Sequence, residues 1–377
     1  MKVLNVVGAR PNFMKMAPII EAMNKYPDKI EYLLVHTGQH YDEKMSQVFF
    51  DDLGMPRPAI DLGVGSGSHA EQTAKIMVAF ENVCLEQKPD LVIVVGDVNS
   101  TMACTITAKK LGIQVAHVEA GLRSRDLGMP EEINRLCTDI LCDYLFTTDH
   151  FANENLKAEG IPSGKIFFVG NVMIDTLLKH KAMAEKLPLM RDWGLEPQRF
   201  AVLTLHRPSN VDDIAVLRAI LNAVFDVAQE IPVVFPIHPR TRRAFESAGA
   251  ELGPGMQNGN SKLRLVEPLG YLEFLHLCMH ARFVLTDSGG IQEETTVLGI
   301  PCITLRNNTE RPITCTEGTN ILVGTDPQRI RETVLSVLAG EIGRGRVPDK
   351  WDGKAAERIV EGLLSCVITE KDLPPNN

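Results

Sequence analysis

The sequence predicts an α/β protein with two Rossmann-like, doubly wound parallel-sheet domains that face each other across a cleft. Short apolar runs alternate with amphipathic segments along the chain, which is typical of parallel α/β sheets. The alternation weakens at residues 170–197, where prolines appear, and then restarts. At 377 residues the chain is also too long for one small core. We therefore place the first domain at 1–170 and the second at 171–365, with ligands at the carboxyl ends of the strands.

Each predicted strand is a short apolar run between segments with helical spacing. The chain opens with a strand rather than a leader segment, because only five residues separate Lys2 from Gly8. Helical spacing fills residues 70–87, 100–111 and 211–229. The predicted strands are residues 3–7, 32–36, 91–95, 115–118, 144–147 and 166–169 in the first domain, and 201–205, 233–236, 263–266, 283–286, 302–305 and 320–323 in the second.

Composition limits the partners that the protein can have. Hydrophobic residues make up 44% of the chain and charged residues 23%, and the net charge is −9. This acidic balance argues against nucleic acid and against an anionic membrane as partners, and no segment approaches a membrane-spanning length. The eight cysteines show no paired CxxC spacing, which favours free thiols in a reducing compartment. We expect a cytoplasmic protein.

A glycine-rich turn at residues 288–290 is the clearest candidate for a binding site. It follows the apolar run 282–285 and precedes a segment with helical character. Such a strand–turn–helix unit directs backbone N–H groups and the positive end of a helix toward an anion, and glycines let a phosphate approach the backbone. Glu293 and Glu294 are expected in the first helical turn, where one could accept hydrogen bonds from sugar hydroxyls. A diphosphate joined to a ribose fits this pattern.

A second glycine turn, at residues 8–15, opens a predicted helix with Arg10 and Lys15 in reach. Anionic phosphate would suit this turn, and a tight turn with solvated charges would explain it equally well. The chain contains neither a G-x-G-x-x-G fingerprint after a strand nor a Walker A motif.

Carboxylates follow two of the most apolar strands, and a third acidic motif begins a helix. Asp97 and Glu119 come directly after strands, and Glu131 with Glu132 lies at a predicted helix start. Asp97 could instead cap the next helix, and the two glutamates at 131–132 could instead complement the helix dipole. Glu119 has no such alternative, because it lies between a buried strand and Gly121. A desolvated glutamate is suited to proton transfer.

Histidines and arginines follow the strands of the second domain. His206 and His238 lie at equivalent strand ends, each with an arginine nearby, and Arg311 follows a later strand. A lone histidine there is more often structural, but two of them beside arginines favour a surface that faces an anion. No His, Cys and carboxylate set shows metal-ligand spacing, so we predict no metal site. No serine or cysteine nucleophile motif is present.

Together these motifs resemble the non-hydrolysing UDP-N-acetylglucosamine 2-epimerases along nearly the whole chain. Each motif alone is weak, but eight in the same order are specific. They are GARPNFMK at 8–15, HTGQH at 36–40, GD at 96–97, HVEAGLRS at 117–124, PEEINR at 130–135, LHR at 205–207, TDSGGIQEE at 286–294 and TERP at 309–312.

The resemblance implies a GT-B-like fold whose C-terminal segment, about 366–377, packs back on the first domain. It implies a homodimer that needs no metal or nicotinamide cofactor and serves polysaccharide biosynthesis. The implied reaction interconverts UDP-GlcNAc and UDP-ManNAc: UDP is eliminated in an anti sense to give a 2-acetamidoglucal, and UDP then adds back. Because C2 is inverted, more than one proton carrier is required.

The resemblance also implies the site residues. The acid–base carboxylates and an assisting histidine are Asp97, Glu119, Glu131 and His206, and the residues that bind the UDP-sugar are Arg10, Lys15, Leu269, Phe274, Ser288, Gly289, Gly290, Glu294 and Arg311. Leu269 (through its backbone) and Phe274 would line the uracil pocket.

Two segments of this chain differ from the corresponding segments of those family members that are activated by their own substrate. Such members carry an Arg-Gln segment near residue 69 and a His-Arg-Arg-Glu motif, whereas this chain has His69 and His206-Arg207-Pro208-Ser209. Gln39 and His238 are nevertheless present at positions used for the second sugar nucleotide. They are candidate allosteric residues.

Three alternatives remain, one within the same class of enzyme and two from other classes. A 2-epimerase for a related UDP-sugar, such as a 2,3-diacetamido uronic acid, would carry the same motifs. A GT-B glycosyltransferase would share the diphosphate turn but needs an acceptor groove, against which the low aromatic content (6%) argues. A non-catalytic UDP-sugar sensor would gain nothing from several desolvated carboxylates near an anion.

Overall fold

The computed structural model describes residues 1–38, 54–238, 241–245, 262–343 and 345–371, without the side chains of residues 10 and 367–371. Two compact units make up the chain: unit 1 is Met1–Lys179 with Asp349–Asn377, and unit 2 is His180–Pro348. No described helix is both long and apolar enough to cross a membrane.

The two units divide within a helix, nine residues after the bound predicted from the sequence. Helix Val172–Ala184 stays attached to unit 1 because Thr176 donates a hydrogen bond to the Met14 carbonyl at 2.6 Å. Asp175 on the same helix accepts the backbone N–H groups of Ala355 and Ala356 at 3.1 and 2.7 Å. The returning segment therefore belongs to unit 1 from Asp349, before the predicted 366.

Unit 1 is built on a seven-stranded parallel sheet with strand order β3-β2-β1-β4-β5-β6-β7. The order reverses between β1 and β4, as in doubly wound folds. Strand β3 has only two residues, too few to give a pattern in the sequence. The strands are β1 Lys2–Val7, β2 Glu31–His36, β3 Ile60–Asp61, β4 Leu91–Val95, β5 Gln114–Ala120, β6 Tyr144–Thr147 and β7 Ile166–Phe168.

Unit 2 has a six-stranded parallel sheet with strand order β10-β9-β8-β11-β12-β13. Together the two sheets confirm the predicted α/β class with two doubly wound parallel sheets. The strands are β8 Ala201–Thr204, β9 Val233–Pro236, β10 Leu263–Val266, β11 Phe283–Thr286, β12 Cys302–Thr304 and β13 Asn320–Leu322.

Helices connect the strands in both units. In unit 1 they are α1 Arg10–Met23, α2 His69–Gln87, α3 Asn99–Lys110, α4 Pro130–Leu141, α5 His150–Ala158, α6 Val172–Ala184 (which continues into unit 2) and α14 Ala355–Lys371. In unit 2 they are α7 Leu189–Asp192, α8 Pro208–Val211, α9 Ile214–Glu230, α10 Tyr271–His280, α11 Gly289–Leu298, α12 Pro312–Thr316 and α13 Pro327–Ala339.

The sheets form the cores because helices cover them, so the strands read as continuous apolar runs. All five residues of β4 are buried, and Phe283, Val284 and Leu285 of β11 are completely inaccessible. Since every strand pair is parallel, the carboxyl ends of each sheet share one edge. These two edges carry the candidate site residues.

Candidate active site

Asp97 lies at the carboxyl edge of unit 1, just beyond β4. Its Oδ2 accepts a hydrogen bond from Arg135 at 2.5 Å. Val98, and not Asp97, is the N-cap residue of α3, and the Val98 side chain makes no cap hydrogen bond. Asn134 fixes the backbone by donating to the Asp97 carbonyl at 2.8 Å. Asp97 is therefore a partly exposed carboxylate held by two residues of α4.

Glu119 occupies a constrained position at the end of β5. Its φ is +73°, a left-handed conformation that costs a non-glycine residue roughly 1–2 kcal/mol. It is the extra residue where the register of β5 on β6 shifts between Val118 and Ala120, so this is a β-bulge of the kind that redirects a side chain. The carboxylate is 4% exposed and bonded to the ammonium of Lys15.

Glu131 and Glu132 are neighbours on α4, but their environments differ. Glu132 is buried and accepts four hydrogen bonds, from the Ser124 backbone and hydroxyl, the Arg125 backbone and the Arg135 guanidinium. Glu131 is half-buried, and within the described part of the chain its carboxylate has no hydrogen bond or ion pair. Glu132 is thus committed to structure, whereas Glu131 has an unengaged carboxylate.

In the turn at residues 8–15 the backbone N–H groups of Gly8 and Ala9 are already engaged by the protein itself. The Asn12 side chain accepts the N–H groups of Gly8 and Ala9 at 3.0 Å each and donates to the Val95 carbonyl at 3.1 Å. Lys15 points to Glu119 rather than into the turn. The side chain of Arg10 lies outside the described residues, and the nucleotide contacts expected of Arg10 and Lys15 stay predictions.

The glycine turn of unit 2 opens helix α11, which begins at Gly289. The prediction that Glu293 and Glu294 lie in the first turn was wrong: that turn contains no acidic residue, because the glycines themselves are helical. Ser288 is the N-cap and makes no side-chain cap hydrogen bond. The first turn of the helix thus carries no carboxylate of its own, which suits an anion.

Arg311 lies against this turn within a buried ion-pair network. Its guanidinium bonds to Glu293 and Glu310 at 2.7 and 2.6 Å, and Glu310 also pairs with Arg306 at 2.7 Å. A Cβ added to Gly289 would lie 2.5 Å from the Arg311 guanidinium. A methyl group at this position would therefore require the Arg311 guanidinium to shift.

His206 is held at the end of β8 by a carboxylate that the sequence did not single out. Asp287 bonds to His206 Nδ1 at 2.8 Å and also accepts the backbone N–H groups of His206 and Arg207. Burial alone would raise the pKa of Asp287, but the hydrogen bond and charge of His206 hold it below its ordinary value. Since Nδ1 is committed, Nε2 of this half-exposed ring is the nitrogen presented outward.

Glu294 is buried on α11 and accepts a hydrogen bond from the Tyr271 hydroxyl at 3.2 Å. Burial raises the pKa of Glu294 to about 7; the Tyr271 hydrogen bond opposes this rise, and the charge of Glu293 adds to it. Leu269 and Phe274 are partly buried beside an apolar cluster that includes Phe200.

The candidate allosteric residues are only partly described. His238 is exposed just beyond β9, and Gln39 lies outside the described residues. Among the residues that the structure describes, no three His, Cys, Asp or Glu side chains come together as metal ligands.

A family model described as UDP-N-acetylglucosamine 2-epimerase matches residues 21–364. A UDP-N-acetylglucosamine 2-epimerase of Methanocaldococcus jannaschii is 43% identical over 368 residues, which cover 96% of this chain and 99% of that protein. A UDP-2,3-diacetamido-2,3-dideoxy-D-glucuronate 2-epimerase of Pseudomonas aeruginosa is 40% identical with the same coverage of both chains.

The M. jannaschii enzyme also gives a structural match. Its crystal structure in complex with UDP-GlcNAc and UDP has a TM-score of 0.88 to this chain at 42% identity, covering 97% of this chain and all of that one.

Proposed function

The chain belongs to the UDP-N-acetylglucosamine 2-epimerase family, and from that premise we propose that it interconverts UDP-GlcNAc and UDP-ManNAc. A base removes the proton from C2, and its electrons form the C1–C2 double bond as the C1–O bond breaks and UDP leaves. The 2-acetamidoglucal then takes a proton at C2 on the other face, and UDP adds back to C1. The observation that carries this proposal is the group of three carboxylates, Asp97, Glu119 and Glu131, at the edge of one parallel sheet.

We assign the proton transfers to the three carboxylates of unit 1. Their surroundings differ: Arg135 holds Asp97, Lys15 holds Glu119, and the Glu131 carboxylate is unengaged within the described chain. Inversion needs a carrier on each face of C2, and general acid–base groups of this kind typically contribute 10²–10⁴-fold. Lys15, expected to contact the nucleotide, acts in this proposal by holding Glu119 in place.

We assign the hold on UDP to unit 2. The N-terminus of α11 at Ser288, Gly289 and Gly290 and the guanidinium of Arg311 are suited to the diphosphate, where negative charge grows as C1–O breaks. His206 Nε2 assists there because Asp287 orients the ring. Glu294 takes the ribose hydroxyls, and Leu269 with Phe274 contacts the uracil. Arg10, a residue of unit 1, is proposed to contact the nucleotide as well.

We propose a second copy of the chain as the partner of unit 1. Helix α4 buries charged side chains and exposes apolar ones. Glu132, Arg135 and Asp139 are buried, while Ile133 and Ile140 are 46% and 64% exposed. Exposed apolar side chains on an otherwise polar helix favour a covering partner. Ile140→Glu should convert the homodimer to monomer on size-exclusion chromatography with light scattering. The eight free cysteines support a cytoplasmic site of action.

Heavy water tests the proposed reaction directly. Wild-type protein incubated with UDP-GlcNAc in D₂O should place deuterium at C2 and form UDP-ManNAc, as followed by NMR. Absence of exchange at saturating substrate would refute the epimerase. Transfer of GlcNAc to an added acceptor without exchange would instead support a glycosyltransferase.

A UDP-2,3-diacetamido uronic acid is the second candidate substrate, because the P. aeruginosa relative with this activity in its name is nearly as similar. A competition in one tube separates the two. The UDP-GlcNAc assignment requires the larger kcat/KM for UDP-GlcNAc, and the reverse order would overturn it.

A further inference from the structure

The three candidate carboxylates lie on three different elements of unit 1, so something must fix their mutual positions. Asp97 follows β4, Glu119 ends β5 and Glu131 begins α4. Proton transfer depends on placement, and a displacement of about 1 Å can cost 10²-fold in rate. Contacts that join these three elements are therefore expected to affect turnover directly.

A buried pair, His117 and Asp139, joins all three elements. His117 lies on β5 and Asp139 on α4, and their Nδ1 and Oδ1 atoms are 2.6 Å apart. The other ring nitrogen, Nε2, lies 2.8 Å from the carbonyl oxygen of Gly96, which directly precedes Asp97. The second carboxylate oxygen of Asp139 accepts the N–H of Gly121, two residues after Glu119, at 3.0 Å.

The atoms opposite the two ring nitrogens of His117 are an oxygen that only accepts hydrogen bonds and a carboxylate. A carbonyl oxygen only accepts, so Nε2 donates to Gly96. Burial alone would raise the pKa of Asp139, but His117 and Arg123 hold it below its ordinary value, so an ionised carboxylate faces Nδ1. The Arg123 guanidinium bonds Asp139 at 2.7 Å and Glu159 at 2.6 Å, so the Asp139 carboxylate is held by a cation as well as by the ring of His117.

The pair bonds the backbone next to a residue in a strained conformation. Gly96, Glu119 and Gly121 all have positive φ, at +68°, +73° and +81°, and Glu119 is the bulge residue. The two glycines adopt such a conformation without strain, but Glu119 is not a glycine and keeps it only because its surroundings over-determine it. The two hydrogen bonds of the pair end at Gly96, directly before Asp97 in the sequence, and at Gly121, two residues after Glu119.

We propose that His117 and Asp139 are positioning residues for the reaction: they set the placement of Asp97, Glu119 and Glu131 relative to one another without touching the substrate. This inference rests on the proposed epimerase function. It assigns an effect on turnover to two buried residues, one on a strand and one on a helix, for which packing alone would predict only an effect on stability.

Two variants cut the two links separately. His117→Asn keeps an amide near Nδ1 for Asp139 but loses the reach to Gly96, and Asp139→Asn weakens the hold on His117 and on Gly121. Each should lower kcat for C2 exchange about 10²-fold while KM for UDP-GlcNAc and the Kd for UDP stay within about threefold. Asp175→Asn is the matched control, because Asp175 is also a buried carboxylate that accepts two backbone N–H groups.

Rates are expressed per UDP-binding site, counted by calorimetric titration, so that loss of folded protein does not enter. The expected result is a fall in kcat for both His117→Asn and Asp139→Asn and an unchanged kcat for Asp175→Asn. If all three lower only the thermal midpoint and kcat per site is unchanged, the inference is overturned while the epimerase assignment stands. If the wild type itself shows no exchange, the proposed function fails, and the inference with it.

Discussion

The carboxyl edge of unit 1 and that of unit 2 follow parallel sheets of the same construction, yet they present different chemistry. In unit 1 the strands end in carboxylates, each held by a cation or left unengaged within the described chain. In unit 2 they end in an uncapped helix N-terminus, an oriented histidine and a buried network of arginines and glutamates. The same sheet topology thus provides both edges, and the residues just after each strand determine whether an edge suits proton transfer or anion binding.

The supports of the two edges also differ. In unit 1 Arg135 and Lys15 fix carboxylates that we expect to react. In unit 2 the glutamates Glu293 and Glu310 fix Arg311. Variants that separate turnover from UDP affinity should therefore divide along the boundary between the units.

The largest effect is expected from Glu131→Gln. Because this carboxylate is half-buried and unengaged within the described residues, its loss should lower kcat roughly 10²–10⁴-fold without changing the thermal midpoint. Steady-state kinetics and differential scanning calorimetry measure the two quantities.

The neighbouring Glu132→Gln is the control for that variant. It breaks a buried pair with Arg135, so we expect a loss of about 3 kcal/mol in the free energy of unfolding and a smaller change in kcat per folded site. If Glu131→Gln destabilises the protein as much as Glu132→Gln, the distinction between the two glutamates is wrong.

The next effect concerns His206. His206→Asn removes the ring nitrogen that Asp287 directs outward, and kcat should fall about 10²-fold if it stabilises the departing diphosphate. His280→Asn, which changes another partly buried imidazole of unit 2, should leave kcat unchanged. Equal losses in both variants would remove His206 from the site.

A smaller effect, on binding, is expected from Gly289→Ala. The added methyl group would meet the Arg311 guanidinium at 2.5 Å and displace it from the turn, so the Kd for UDP should rise about 10-fold, equal to about 1.4 kcal/mol. Gly343→Ala, with nothing within 4 Å of its Cβ position, is the matched control. An unchanged Kd for Gly289→Ala would contradict the assignment of the diphosphate to this turn.

The titration of Glu294 is expected to have the smallest effect on turnover. Its effect is on the stability of the folded state. Its pKa is raised by burial from 4.5 to about 7, so the folded state binds this proton more tightly than the unfolded state. The stabilisation is complete below pH 4.5 and is lost as the pH rises through about 7, on the order of 3 kcal/mol in total.

Thermal midpoints of the wild type and Glu294→Gln, measured from pH 4 to 8, check this titration. The wild type should lose stability relative to the variant across that window. Parallel curves would contradict the raised pKa.

Much of the fold could be predicted because buried parallel strands are short, continuous apolar runs bounded by turns. Strand β3 could not, since two residues carry no period. The positions of Asp97 and Glu119 were predictable for the same reason as the strands, because polar residues directly after a buried strand lie at the sheet edge.

The partners of these residues were not predictable. Arg135, Asp139 and Asp287 are distant in sequence from the groups they hold, and only tertiary packing selects them. The start of α11 at Gly289 was also missed, because two glycines favour a turn over a helix on local propensity. Sequence patterns thus predicted which residues reach each edge, and packing decided how each one is held.

The most direct test of the division between proton transfer and UDP binding is the paired measurement of C2 exchange and UDP affinity in Glu119→Gln. The glutamine keeps an oxygen that can accept from Lys15, so the fold should be retained. We predict that exchange in D₂O falls at least about 10²-fold while the calorimetric Kd for UDP stays within about threefold. A Kd that rises in parallel with the loss of exchange would show that Glu119 supports the binding structure and would contradict the account.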